Sequence, residues 1–266
     1  MNAWQQRERA RATLAKETGY TVKPHGDRLR VALAFPNTYF VGMSNLGLQT
    51  VYQLLNADER VVCERVFLPP KSEIDEQRSS GAPLLTLESQ TPVGEFDVVA
   101  FSVSFEWDYT NVVTMLRLAG LKPRAAQRTA RDPLVMIGGA VTFVNPEPLA
   151  PFADVIAAGE GEVLVPDLLD ALAEADDRED LLTRLTAKRG YYVPSRYDVT
   201  YDGNPHTASG TAKGVLGETL AGLDLSGTTH TNAGSYSDPW SFTDLSGNYN
   251  NPSGTTADNI AKANAV

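Results

Sequence analysis

The sequence has 266 residues with 23 Lys+Arg against 33 Asp+Glu, a formal net charge of −10, which gives no support to nucleic-acid binding because that leans on basic patches. Its single cysteine, Cys63, excludes an intramolecular disulfide, a multi-cysteine zinc site and an iron–sulfur cluster held by this chain's own cysteines. No stretch approaches the roughly 18 apolar residues of a membrane span and MNAWQQRERARATL lacks the apolar core of a signal peptide, so the chain is expected in the cytoplasm, with no membrane partner.

In chain order, residues 2–18 read as a polar helix and Gly19 to Asp27 as a loop. Leu29–Phe35 alternates into a strand that Pro36-Asn37 stops. The loop Thr38–Gly47 leads to a helix with Leu48, Val51, Tyr52, Leu54 and Leu55 on one side, which Ser44 and Asn45 are placed to cap. Arg60–Leu68 is the next strand, with Cys63 a buried, inert thiol in it. A short helix at Ser72–Arg78 and a strand at Leu84–Leu87 follow. Phe96–Phe105 is a buried strand, and Tyr109–Leu118 a helix ending at Gly120.

Two apolar runs come next, and each stops at glycine. Leu134–Ile137 ends at Gly138-Gly139, and Asp154–Ala158 ends at Gly159-Glu160-Gly161-Glu162. A helix opens at once, with Val163, Leu164, Leu168, Leu169 and Leu172 on one face. Strands alternating with helices argue for a parallel sheet with helices on both faces, an α/β domain of the Rossmann or flavodoxin-like class with about five principal strands. Glycine at strand C-termini lets a ligand approach the backbone, and tight strand exits alone would use it equally well.

From Tyr197 the pattern changes to short alternating runs punctuated by turns such as Asp202-Gly203 and Asn204-Pro205. Residues 197–266 hold only 2 Lys+Arg against 7 Asp+Glu and are rich in Gly, Ser, Thr and Asn. Such a shift marks a domain boundary. The expected organisation is an N-terminal helix and linker (1–27), an α/β domain (28–195) and a small antiparallel β module (196–266).

Three patterns bear on chemistry. Gly159-Glu160-Gly161-Glu162 lacks the third glycine of a dinucleotide fingerprint, and its glutamate would repel a pyrophosphate. Gly42-Met43-Ser44-Asn45-Leu46-Gly47 is not the G-x-S-x-G elbow, and no histidine in the following parallel unit serves as base. The three histidines, His25, His206 and His230, share no ligand spacing, so no metal site is expected. No catalytic residue is assigned. Glu106, Asp108, Glu147, Glu160 and Glu162 lie near predicted strand ends, and Glu160 is the one a ligand would reach.

The runs VALAFPNTYFVGMSNLGLQTVYQLLN (31–56), CERVFLP (63–69), FDVVAFSVSFEWDYTNVVTMLRLAGL (96–121) and the glycine-ended pair resemble one group of radical SAM proteins, in order and spacing. The similarity runs from about Arg28 to Tyr201 and includes the exit GYYVPSRYDVTYD. That group carries an N-terminal cobalamin-binding-like domain and a following SAM barrel. The resemblance implies a cofactor edge made by Pro36, Asn37, Thr38, Gly42, Met43, Ser44, Ser102, Ser104, Glu106, Gly138, Gly139, Gly159, Glu160 and Gly161, with cobalamin as the ligand.

Two departures qualify it. The family's barrel begins after this exit with C-x-x-x-C-x-x-C, whereas Cys63 lies in the wrong domain, so no iron–sulfur cluster is expected in this chain. Cobalamin domains also supply an axial histidine from D-x-H-x-x-G, and Pro36–Ser44 has none, so cobalamin is expected to bind weakly or not at all. VTYDGNPHTASGTAKGV, GLDLSGTTHTNAGSYSDPWSFTD and GNYNNPSGTTADNIAKANA resemble one MBG-type, immunoglobulin-like repeat of bacterial surface proteins, which implies a chimera joined near Tyr197–Gly203.

The first functional expectation is a truncated cobalamin-binding-like domain, a cofactor or substrate-binding module without its own catalysis. The alternative is a non-enzymatic surface or interaction protein that uses the β repeat. The third is a stand-alone partner of a separately encoded radical SAM barrel.

Overall fold

A strand whose alternate side chains are both apolar must be covered on both faces. In β1 (Leu29–Phe35) every residue from Val31 to Phe35 is buried. The computed structural model describes residues 3–194, 198–200, 203–208, 212–215 and 218–262. They fall into two compact units divided between Pro194 and Ser195.

The first unit begins with α1 (Ala3–Leu14), and after β1 come α2 (Tyr39–Met43) and α3 (Leu46–Ala57). Then follow β2 (Val61–Phe67), α4 (Lys71–Ser80), β3 (Val98–Ser102), α5 (Tyr109–Leu118), β4 (Leu134–Gly138) and α6 (Val141–Val144). The unit ends with β5 (Val155–Ala157), α7 (Gly161–Glu174), α8 (Arg178–Thr186) and β6 (Tyr191–Tyr192). The strands form one sheet in the order β2-β1-β3-β4-β5-β6, parallel except for β6. The order 2-1-3-4-5 is that of the flavodoxin-like fold.

Side-chain alternation divides the core in two. Val31, Leu33, Phe35, Val98 and Met136 point to one face, under α3, α7 and α8. Ala32, Ala34, Val99, Phe101, Val135 and Ile137 point to the other, under α5 and the loops around Leu84–Phe96 and Leu149–Ala153. Each fully buried side chain of this kind contributes about 1.5–3 kcal/mol relative to exposure. These two layers hold the helices in place more than helix propensity does.

Several expected elements are corrected. The loop Thr38–Gly47 contains α2, and Phe96–Phe105 shortens to β3. Leu84–Leu87 is not a strand. It makes one bridge, Leu85 with Pro92, because the segment turns at Gln90 (φ 58°) and spends its polar groups on the edge of β2. There the Leu87 amide donates to the Arg65 carbonyl and the Thr86 hydroxyl to Glu64. Of the two expected caps, Asn45 accepts from the Leu48 amide at 2.9 Å, whereas Ser44 donates back to the Phe40 carbonyl.

Gly139 has a stringent requirement for glycine. Its φ is +105°, and an added Cβ would sit 2.4 Å from the Val103 carbonyl oxygen. Strained backbone of this kind costs about 1–3 kcal/mol before the steric clash. Gly139→Ala is therefore expected to lower unfolding stability by about 3 kcal/mol, read as a shift in the urea midpoint at unchanged slope.

The second unit comprises β7 (Asp198–Thr200), β8 (His206–Thr207), β9 (Ala212–Lys213), β10 (Thr219–Leu220), β11 (Leu223–Asp224), β12 (Thr229–His230), β13 (Gly234–Phe242) and β14 (Ser253–Ala261). A four-stranded sheet runs β11-β13-β14-β7, in which β7 joins parallel, and β9–β10 and β8–β12 form antiparallel pairs. The long β13–β14 hairpin is its spine, with Phe242 and Ile260 buried. Of the expected junction, Tyr197, Tyr201 and Asp202 lie outside the described residues.

Candidate functional site

In an open parallel sheet the strand C-termini form the ligand edge, and here that edge opens into a cavity. The space measures about 640 Å³ and lies between the sheet and helices α3 and α7. Its floor is Val31, Leu33, Val98, Ala100 and Met136, and its wall is Leu55, Leu164, Leu168 and Leu169. Ala100 lies on the central strand yet is only half-buried, as are Ser102, Gly138 and Ala157. Small residues on adjacent strands have left room that larger ones would fill.

The mouth is made by Leu46, Gly47, Ser102, Gly138, Gly139, Phe143 and the Gly159–Glu162 turn. Thus six of the sequence-predicted residues meet at this opening: Ser102, Gly138, Gly139, Gly159, Glu160 and Gly161. Glu160 is the exposed N-cap residue of α7 and makes no side-chain cap bond. The lining holds no histidine, cysteine, lysine or arginine. The Tyr191 hydroxyl at the cavity's base donates to the Leu164 carbonyl at 2.5 Å, and burial pushes its phenol up. It is a structural group rather than an acid.

The other predicted residues do not line this cavity. Gly42 is buried, and a Cβ there would fall 2.4 Å from the Phe67 ring. Met43 accepts at its Sδ from Arg65 and Gln49. Ser44 and Glu106 are exposed, and Ser104 accepts from the Asn45 amide at 3.0 Å. Thr38 lines a second cavity of about 630 Å³ between α1 and the end of β2. Pro36 is buried, its carbonyl accepting from Asn111.

Asn37 belongs to a lock across the switch point between β1 and β3. It donates to Asp108 Oδ1 at 3.0 Å, and Asn111 donates to the same oxygen at 3.1 Å. Asp108 Oδ2 is buried without a partner. Burial raises this carboxyl's pKa, with the two amide hydrogen bonds opposing. A carboxyl raised on folding contributes stability below its unfolded value, and that contribution is lost as pH rises through the folded value. Asp108→Asn is therefore expected to gain in thermal midpoint over the native chain more at pH 7 than at pH 4. An equal difference at both pH values would show that the group is not raised.

Large apolar side chains stand exposed after the strand C-termini. Phe40 is 82% exposed, Leu46 83% and Trp107 89%. Phe105, Phe143, Val144 and Val163 are exposed as well, and of the seven Leu46 and Phe143 line the cavity mouth while Phe40 lines the second cavity. All seven follow the C-terminal ends of β1, β3, β4 or β5, so they crown one edge of the sheet. An exposed apolar edge of this kind is where an interaction site is looked for. Sequence reasoning missed Ala100 and this crown. The available signal was the repeated placement of aromatic residues just after predicted strands.

Cys63 is fully buried, and burial pushes its thiol well above the ordinary range. It is not a nucleophile. Among the described residues no helix is long and apolar enough to cross a membrane.

Comparison with known proteins adds one finding. The family model described as "Radical SAM proteins, N-terminal" matches residues 47–194, more than half of the chain. No curated protein and no solved structure matches.

Proposed function

This chain belongs to the family of radical SAM proteins, N-terminal, and from that we propose that its α/β unit is a ligand-binding and docking domain for a radical SAM barrel. The exposed apolar side chains along the strand C-terminal edge, with Leu46 and Phe143 at the cavity mouth, support this reading. A docked barrel would cover Phe40, Leu46, Trp107 and Phe143, and would close the cavity over its ligand. The chain's single cysteine cannot supply a three-cysteine cluster, so the cluster ligands would come from outside these 266 residues.

Cobalamin is the ligand implied by resemblance, and the residues fit it only in part. The glycine-edged, apolar cavity suits the insertion of an organic tail. However, neither its lining nor the Pro36–Ser44 loop offers an imidazole to cobalt. His25 is held instead by Glu64 at 2.8 Å, at the edge strand β2. The residues do not fit a histidine-ligated corrinoid. Titration with hydroxocobalamin is expected to give weak binding without displacement of its visible bands. Tight stoichiometric binding with a shifted spectrum would overturn that view.

Docking is tested with a barrel of the same family expressed as a separate polypeptide. Affinity capture by this chain should retain the barrel, and Trp107→Asp with Phe143→Asp should lose at least tenfold of it. Both side chains are exposed, so the variant should fold. Capture that survives both changes would sink the docking surface.

We read the second unit as one MBG-type, immunoglobulin-like repeat fused to this domain. Its low charge and its β13–β14 hairpin support that reading.

A further inference from the structure

In the second unit three potential metal ligands come from three different strands. His230 is on β12, Asp238 on β13 and Asp258 on β14. One donor atom from each lies within 4.8 Å of the others. The hairpin register explains the meeting. Tyr236 stands opposite Asp258, and Asp238 is the next residue on the same face. The His230 ring stacks on Tyr236 with centroids 3.6 Å apart and planes 2° from parallel. The imidazole is thereby held over the two carboxylates.

The carboxylates are poorly compensated. Asp238 is 4% exposed, and its Oδ1 meets His230 Nε2 at 2.8 Å. Its Oδ2 is buried without a partner, and so is Oδ2 of Asp258. Among the described residues no lysine or arginine pairs with either. Two adjacent carboxylates with orphaned, desolvated oxygens are costly unless a cation or proton sits between them.

We propose that His230, Asp238 and Asp258 bind a divalent cation of the zinc class, leaving a fourth position open to water or an external ligand. Imidazole with carboxylates is a zinc donor set, at about 2.0–2.2 Å from the ion. Ligands at that radius stand roughly 3.4 Å apart in a tetrahedron. The 2.8 Å contact between His230 and Asp238 would open slightly to such an edge, and all three donors already lie within 4.8 Å of one another. The absence of a linear spacing motif is no obstacle, because the hairpin register makes the site.

The test uses the full chain stripped with a chelator and titrated calorimetrically with zinc chloride. One zinc per chain is expected, with a dissociation constant in the micromolar range or below. His230→Ala and Asp258→Asn should each weaken it at least tenfold with an unchanged far-ultraviolet spectrum, while His25→Ala leaves it as it was. Cobalt(II) added to the native chain should give visible absorption, a readout that needs no variant and survives if one misfolds. No binding by the native chain at 100-fold excess over about 1 μM, unchanged affinity in His230→Ala, or a preference for calcium over zinc would overturn the proposal.

Discussion

Arg65→Met should destabilise the α/β unit by about 3–5 kcal/mol, the range for leaving one partner of a buried ion pair alone. Arg65 is the largest fully buried side chain among the described residues, at 2% exposure. Its Nε donates to Glu88 Oε1 at 2.7 Å, its backbone amide to Glu88 Oε2 at 2.7 Å, and its Nη2 to Glu17 at 2.8 Å. The guanidinium also lies over the Tyr52 ring at 4.8 Å. Without it, Glu88 would remain buried with no countercharge.

Burial already pushes the Glu88 carboxyl up, and Arg65 opposes that push. In the variant the opposition is gone, so Glu88 should hold its proton to higher pH. Stability that depends on a raised carboxyl is present below its unfolded value and lost as pH rises through the folded one. The deficit of Arg65→Met, measured by urea unfolding, should therefore shrink as pH falls from 7 toward 5. Arg65→Met with Glu88→Gln should recover the part of the loss due to Glu88, because it removes the more deeply buried orphan, while Glu17 keeps its hydrogen bond from Tyr39. A single-variant cost below about 1 kcal/mol would show that solvent reaches the pair. The network also fastens the N-terminal segment to the sheet, since Glu17 accepts from Tyr39 as well. Burial and Glu17 together push the Tyr39 phenol up to about 12.

The parallel core was legible in the sequence for a simple reason. Leu29–Phe35 and Leu134–Ile137 are largely apolar runs too short for helices, and a proline or glycine punctuates each. Leu84–Leu87 failed because the same local apolarity serves a loop packed on the edge of β2. What decides between them is the reach of Glu64 and Arg65 across more than 20 positions, which no local pattern records. The glycine-ended turns meet at the mouth of the cavity. The Pro36–Ser44 loop and the Gly159–Glu162 turn, however, serve different places, one a packed corner and the other a cavity mouth. The sequence offers no measure of which glycine faces a void and which faces a phenylalanine. Likewise His230, Asp238 and Asp258 meet only through a hairpin register, invisible to a search for ligand spacing.

Ala100→Phe should separate stability from binding, moving them in opposite directions. Ala100 is half-buried on the middle of the sheet because the cavity lies above it. A phenylalanine there would enter about 640 Å³ of largely apolar space. Filling a void recovers roughly 24 cal/mol per Å³ where the fit is good, and strain from overpacking costs about 1–3 kcal/mol where it is not. Because the cavity exceeds the added side chain several-fold, the balance favours an unchanged or slightly raised thermal midpoint. The same ring would block the path from the mouth at Gly138 and Phe143 to the floor at Val31 and Leu33. An apolar fluorescent probe such as bis-ANS, titrated against the native chain and the variant, should lose at least tenfold in affinity. Trp107→Asp provides the control, since it alters the crown and leaves the floor intact. Its effect on the probe should be smaller than that of Ala100→Phe, while its effect on barrel capture should be larger. If Ala100→Phe lowers the midpoint by several degrees and leaves probe binding unchanged, the space above β3 is a packing requirement of the sheet rather than a ligand chamber. Any ligand of this domain would then have to lie on the surface.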